Sequence, residues 1–392
     1  MSRAGDASGY EGSMTDSSDL EIFLVVLPGL EEPLRAEAAS LGFANPVAEK
    51  GGVTVRGDWR EVWRANLELR CATRVLVRIA SFRALHLAQL DKRARKVDWA
   101  ALLKPDMPVR VEASCKASRI YHAGAATQRI QRAITETVGC PISAEADLVI
   151  KARIDDDLCT ISLDSSGESL HKRGHKVAVN KAPLRETLAA LLLRHCGFAG
   201  NEPVVDPMCG SGTIVIEAAE MAAGLKPGRS REFAFQRFAN FDEAVWQEML
   251  RTGSSAGSPP DGLVFQGSDR DAGAVRMSSE NAERAGLASW TRFEKLAISD
   301  AFPPPGKSGL VLINPPYGAR IGETKSLVGL YHAMGKTLME RFPGWRVGLL
   351  TQPALAKATE LPFRDDPLPI NNGGIRVSLY LTNPLASPVK AD

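Results

Sequence analysis

The chain has 392 residues, of which 44% are hydrophobic and 24% charged, and it carries a net charge of +2. That length supports two or three domains, each with its own core, and that balance excludes a disordered polymer. Near-neutral charge means that affinity for an acidic partner must come from local clusters of Lys and Arg. The six cysteines are scattered and form no C-x-x-C pair, which argues against a zinc ribbon or a disulfide framework and fits a reducing cytoplasm. No apolar run is long enough for a bilayer and no signal-peptide core opens the chain, so no membrane partner is expected.

Residues 1–19 are rich in Ser, Gly and Asp and read as a disordered tail. From residue 20 to 168 short strands alternate with short helices, the pattern of an α+β layer fold. Glu21–Leu27 reads as a strand, 31–41 as a helix, 51–56 as a strand, 59–69 as a helix and 74–81 as a strand. Residues 83–132 hold eleven Lys or Arg against four Asp or Glu. Lys92, Arg93, Arg95 and Lys96 cluster on a predicted helix, and Arg119, Arg129 and Arg132 flank a second one over 124–138. Such a face suits a phosphate backbone, so the expected partner is RNA. A hairpin over 150–164, turning at Asp155-Asp156-Asp157, closes this part.

Residues 169–185 contain five basic residues, two histidines and no acid, and read as a basic linker beside the active site, with Lys172 and Arg173 as further RNA contacts. His171 and His175 are four apart, but Gly174 between them and the lack of a nearby carboxylate speak against a metal. Pro183 starts a helix with Leu184, Leu188, Leu191 and Leu192 inward. The rest of the chain, 186–392, reads as an α/β domain.

Within it, V-V-D-P-M-C-G-S-G-T-I-V-I-E-A-A at 204–219 is a buried strand, a glycine turn and a helix. A carboxylate facing backbone N–H groups at a helix N-terminus suits a ligand with both an amine and a carboxylate, such as S-adenosylmethionine (SAM). Downstream, G-L-V-L-I-N-P-P-Y-G at 309–318 is a second buried strand stopped by two prolines. In open α/β sheets ligands bind at strand C-terminal ends, so the two motifs should share one rim. Between them, 252–262 is a Ser/Gly/Pro loop, 263–266 a strand, 270–285 a helix and 293–298 a strand. Asp269 is placed to accept from ribose hydroxyls and Asp300 from an adenine amine. The cofactor set read from the sequence is Pro183, Asp206, Met208, Cys209, Gly210, Gly212, Thr213, Asp269 and Asp300. A helix over 326–342, a strand over 346–351 and a hairpin turning at Asn372-Gly373-Gly374 complete the chain.

The paired motifs resemble class I SAM-dependent methyltransferases that modify an exocyclic amine of a base. F-L-V-V-L-P-G-L-E-E-P-L, R-C-A-T-R-V-L-V-R-I and Ile120–Ile134 resemble the ferredoxin-like plus THUMP module fused to RNA methyltransferases. H-K-R-G-H followed by A-P-L-R-E-T-L-A-A resembles the linker and first helix of the ribosomal RNA guanine-N2 methyltransferases. The resemblance implies a Rossmann-like catalytic domain behind an N-terminal RNA-binding module. It also implies SAM as cofactor, Asn314, Pro315, Pro316 and Tyr317 as catalytic residues, and large-subunit ribosomal RNA as substrate. A monomer is expected. Ala319 departs from relatives that carry an acid after N-P-P-Y-G. The same tetrapeptide serves adenine-N6 methylation, and transfer RNA or a non-catalytic assembly role are further alternatives. A nicotinamide enzyme would want a third glycine near Val215 and a nearer acid than Asp269.

Overall fold

Alternation in L-E-I-F-L-V buries Leu20, Ile22 and Leu24 and turns Glu21 and Phe23 to the other face, as in a half-covered strand. The computed structural model describes residues 12–13, 19–176, 184–251, 255–317 and 324–387. The first sheet and its helices are, in chain order, β1 (Gly12–Ser13), β2 (Leu20–Val25), α1 (Glu31–Ser40), β3 (Ala44–Glu49), β4 (Gly52–Gly57), α2 (Trp59–Glu68), β5 (Arg74–Arg83), α3 (Leu87–Ala94), β6 (Val109–Lys116), α4 (Ala123–Val138), β7 (Leu148–Asp155) and β8 (Leu158–Asp164). Strand order is β3-β4-β2-β5-β8-β7-β6, with β1 paired to β5. β6 and β7 run parallel, because α4 crosses over between them.

The second sheet continues with α5 (Glu186–His195), β9 (Val204–Asp206), α6 (Thr213–Ala222), α7 (Glu243–Arg251), β10 (Phe265–Asp269), α8 (Ala272–Arg284), β11 (Thr291–Lys295), β12 (Leu310–Ile313), α9 (Thr324–Arg341), β13 (Arg346–Thr351), α10 (Pro353–Ala358), β14 (Leu368–Asn372) and β15 (Ile375–Leu381). Its order is β11-β10-β9-β12-β13-β15-β14. β9 to β13 are mutually parallel and β15 runs against both neighbours. All four residues of β12 are buried, as an all-apolar run covered by helices on both faces should be. The direction in which the strands succeed one another reverses between β9 and β12, which register Val205 against Val311. That reversal is the switch point where an open α/β sheet leaves a crevice.

The two sheets are joined by aromatic packing and by a buried charge network. Phe233, Phe235, Phe241 and Trp246, from the insertion before β10, pack with Trp63 of α2; Trp63 stacks on Phe235 at 5.9 Å. Arg70, after α2, donates to Glu217 at 2.8 Å and to Glu220 at 3.3 Å, both buried on α6. Arg229 meets Glu220 at 2.6 Å, and Arg173 bonds both the Arg70 carbonyl and Glu217.

Several expectations change. β3 was not foreseen, since Pro46 and a left-handed Asn45 (φ 44°) interrupt its pattern at a bulge. Within the expected tail, Gly12–Ser13 pairs with Ala80–Ser81. The third strand of the second sheet ends at Lys295, and a single 3-10 turn carries Ile298 to Asp300. Arg173 is 2% exposed and ion-paired, so it is a buried strut rather than an RNA contact. His175 is buried beside it. The end of the N-terminal module and the start of the linker are clamped together: Arg231 donates to the carbonyls of Ser166, Glu168, Ser169 and Lys172.

Candidate active site

β9 delivers Asp206 to the rim of the sheet, and the chain must then reverse within six residues to begin α6. Gly210 (φ 55°) and Gly212 (φ 79°) take the left-handed turns this requires. A Cβ on Gly212 would also stand 3.0 Å from Ser278 of α8, so the turn is packed as well as bent. The turn is tied down by Cys209 N–H to the Ser268 carbonyl (2.9 Å) and Gly210 N–H to the Asp269 carboxylate (3.1 Å). Ser278 Oγ donates to the Gly210 carbonyl at 3.0 Å.

β12 delivers Asn314-Pro315-Pro316-Tyr317 to the neighbouring position on the same rim. Between the two loops lies a cleft of about 580 Å³, lined by Asp206, Met208, Cys209, Gly210, Thr213 and Asn314–Tyr317. Leu184, Arg185 and the hairpin tip at Asn372, Gly373 and Ile375 complete its wall. Glycine turn and proline loop therefore meet in one cavity. Gly212 stands one residue behind, as the N-cap of α6. Asp269 reaches the cleft through Gly210. Asp300 lies exposed on the turn after β11, outside the cavity lining, with Phe302 half-exposed nearby. Pro183, Gly318 and Ala319 fall outside the described residues.

Asp206 is buried and accepts one hydrogen bond, from Met208 N–H at 3.1 Å. Burial pushes its carboxyl up to about 8; the Met208 N–H opposes the rise and the nearby Asp269 charge adds to it. A cation placed beside it would restore its charge. Asn314 Oδ1 is buried and has no hydrogen-bond partner among the described residues. A buried acceptor in this state is able to take a donor from a ligand in the cleft. Tyr317 is half-buried, and its hydroxyl accepts from Asn372 Nδ2 at 2.8 Å. The cleft thus offers a buried acid, helix N-terminal amides and an unspent amide oxygen, a donor set that fits SAM at one end and an amine at the other. The hairpin wall was missed by sequence reasoning. Its Asn-Gly-Gly turn was legible, but nothing local told that the turn folds back over Tyr317. Cys209 is both buried and part of the lining; burial raises its thiol far above the ordinary range.

On the N-terminal side Lys92, Lys96, Arg119 and Lys172 are exposed. Arg93 and Arg95 are half-buried, and Arg95 is held by Asp91 and Glu136. Among the described residues no cluster of His, Cys, Asp or Glu is grouped as a metal site, and no helix is long and apolar enough to cross a membrane.

Sheet order, crevice and paired loops define a class I, Rossmann-like, SAM-dependent methyltransferase domain behind an N-terminal α+β module. Residues 173–366 match the RMKL-like methyltransferase domain, and residues 21–76 match the RlmL ferredoxin-like domain. A Synechocystis protein named as an RNA methyltransferase is 32% identical over 91% of this chain and 95% of its own length. The chain belongs to the RMKL-like methyltransferase family. Ribosomal RNA large subunit methyltransferases K/L of Methylococcus capsulatus and Syntrophotalea carbinolica are 34% and 36% identical over 84% and 86% of this chain. The chain spans 47% and 50% of the length of those two enzymes. Among solved structures, the methyltransferase SMU.472, complexed with S-adenosylhomocysteine, superposes with a TM-score of 0.83 at 26% identity, over 95% of this chain and all of that one. A Listeria monocytogenes protein described as an N6-adenine-specific DNA methylase superposes at 0.82 and 28% identity, over 94% of this chain and 97% of its own. The cofactor is SAM.

Proposed function

We propose that this protein methylates the exocyclic N2 amine of a guanosine in RNA, with large-subunit ribosomal RNA as the substrate. The observation that carries the chemistry is the buried Asn314 Oδ1 at the end of β12, without a hydrogen-bond partner among the described residues and across one cleft from the glycine turn. SAM, when bound, supplies an activated methyl group, so what the chain must add is position and charge complementarity.

An amine on an aromatic base is a poor nucleophile because its lone pair feeds the ring. Asn314 Oδ1 and the Pro315 carbonyl accept its two hydrogens and tilt the nitrogen toward tetrahedral geometry. Pro315 and Pro316 fix the backbone that aims those acceptors. Tyr317 gives the base a ring to stack on, worth about 1–3 kcal/mol in single-stranded nucleic-acid contacts, once the nucleotide has left its stack. At the other end Asp206 takes the cofactor's ammonium, and the Gly210–Thr213 turn receives its carboxylate. Asp269, bonded to Gly210 N–H at the turn, serves the ribose. The proton displaced by the new N–C bond leaves to water, so no side chain need act as general base.

The RNA reading is supported by the names of the relatives and by exposed Lys92, Lys96, Arg119 and Lys172. The competing reading is adenine-N6 methylation, which the Listeria structure's description favours and which the same tetrapeptide could serve. Incubation with SAM and deproteinised ribosomal RNA, followed by digestion to nucleosides, separates the two. N2-methylguanosine is expected; N6-methyladenosine as the product overturns the guanine reading.

A further inference from the structure

Behind the glycine turn, a residue of the linker touches the first residue of α6. Lys176 Nζ donates to Thr213 Oγ1 at 2.8 Å and to the Leu184 carbonyl at 2.9 Å, and pairs with Glu186 at 3.1 Å. Its side chain is 9% exposed. Thr213 stands between two spaces: it lines the cleft, and it lines the small void behind that holds Lys176, Glu186 and Glu217.

The placement is electrostatically odd. Thr213 opens α6, so Lys176 lies at the positive end of a helix dipole, where cations are disfavoured. Glu186 offsets part of this, although burial raises its own carboxyl and weakens it as a partner. An ammonium can only donate, so the Thr213 hydroxyl must accept from Lys176 and has its single proton left to give. Among the described residues its other hydrogen-bond partner is Ser211 Oγ at 3.4 Å, at the outer limit of a hydrogen bond. Thr213 also lines the cleft, so a ligand group there can take that proton, at the end where the amides of the glycine turn already favour an anion.

We propose that Lys176 is a positioning residue for the cofactor's carboxylate. It acts through Thr213, orienting that hydroxyl as a donor into the cleft and adding positive charge behind it. The inference rests on the reading of the cleft given above, with the carboxylate at the glycine turn. It also gives the linker a role in cofactor binding. The residue that reports to the cofactor helix sits three positions after Arg173, which is locked to the N-terminal module through the Arg70 carbonyl.

The test is a binding cycle on the full chain, without RNA and hence without turnover. Affinities for SAM and for decarboxylated SAM, which lacks only the carboxylate, are measured by calorimetry. The wild type should prefer SAM. Lys176→Met should narrow that preference by about tenfold, the scale of one charge-assisted hydrogen bond, by weakening SAM while leaving the decarboxylated ligand within about twofold. Lys176→Arg should preserve the preference. Thr213→Val should narrow it alike, and the double variant no further, because both residues act on one contact. Equal weakening of both ligands by Lys176→Met would reduce Lys176 to a structural role and overturn the proposal, as would an unchanged ratio. If Lys176→Met does not fold, Thr213→Val gives the same comparison. Asp206→Asn separates the two layers. Should it leave both affinities intact, the reading of the cleft fails; should it weaken both while the wild type shows no preference for SAM, the Lys176 inference alone fails.

Discussion

Asn372 Nδ2 donates to the hydroxyl of Tyr317 at 2.8 Å, tying the tip of the last hairpin to the loop after β12 across 55 residues of sequence. The hairpin can reach because Gly373 (φ 60°) and Gly374 (φ 86°) make a tight turn with both residues left-handed, the geometry that matches strand twist. Tyr317 is thereby held at its hydroxyl end while its ring packs against both apolar clusters of the protein. Asn372→Ala should leave SAM affinity unchanged and lower kcat/KM for RNA by about tenfold, the scale of one positioning hydrogen bond. Tyr317→Ala should cost more than Asn372→Ala, and Tyr317→Phe should match Asn372→Ala, since both break the same bond and keep the ring. Steady-state kinetics on the four proteins checks the order.

Asn314→Ala removes the unspent acceptor without touching the glycine turn. Methyl transfer should fall by about 10²–10³-fold, as when one preorganised hydrogen-bonding group is removed from a transition state. Calorimetric SAM affinity should stay within about twofold, because in the proposed arrangement the amide serves the amine and not the cofactor's ammonium. Asn314→Asp keeps an acceptor and should retain more activity than the alanine variant. Single-turnover methylation under saturating SAM isolates the step.

These two loops were legible because each is a local rule in full view. An apolar run broken by Asp-Pro and two glycines, or by two prolines, must stop a strand at a rim. Because the two strands run parallel, both stops fall at the same edge of the sheet. What was not legible was long-range. Arg173 sits among basic residues and looks like a surface contact, yet its partner Glu217 is 44 residues away and the Arg70 carbonyl 103 away. Arg95 looks like part of a basic face until Asp91 and Glu136 are seen to claim it. Charge clusters in a sequence show supply; only packing shows which charges are already spent.

Asp206 couples cofactor binding to pH. With its carboxyl up at about 8 in the free protein, it is mostly protonated at pH 7. A bound ammonium favours the carboxylate, so binding at pH 7 should release a proton. Affinity should rise as pH climbs toward 8 and level off above it. Calorimetry in buffers of different ionisation enthalpy counts the proton; Asp206→Asn should abolish the release. The same shift has a stability sign. A carboxyl raised on folding favours the folded state most below its unfolded pKa near 4, and that contribution is lost as pH rises toward 8. Free Asp206→Asn protein should therefore melt higher than wild type at pH 8 and above, and its advantage should shrink toward pH 5.

Arg70 is where the two sheets share charge. Its guanidinium is buried between Glu217 and Glu220 and also donates to the Leu225 carbonyl. Arg70→Met would leave Glu217 with Arg173 alone, at 3.3 Å, and Glu220 with Arg229. Removing one partner from a buried network of this kind costs about 3–5 kcal/mol. Equilibrium denaturation should show a loss of that order. Because both acids lie on α6, SAM affinity should fall as well, though the substitution is remote from the cleft. A variant that also carries Glu217→Gln should recover part of the stability, since it removes one of the stranded charges.

Exposure decides which basic residues are available to a phosphate backbone. Lys92 and Lys96 are exposed and can reach a phosphate, Arg119 is exposed beside Asp157 at 4.0 Å, and Arg95 is bound on its own surface. Charge reversal of Lys92 and Lys96 together should weaken RNA binding and flatten the slope of log affinity against log salt by roughly 1.4–1.8, two phosphate contacts at about 0.7–0.9 each. Arg95→Glu should instead destabilise the contact between α3 and α4, because it sets a third acid beside Asp91 and Glu136, and should leave the salt slope near wild type. SAM affinity should be untouched in both. Filter binding across a salt series, with thermal melts as the control for Arg95→Glu, checks this. An unchanged slope in the Lys92/Lys96 variant would move the RNA path to another face of the module.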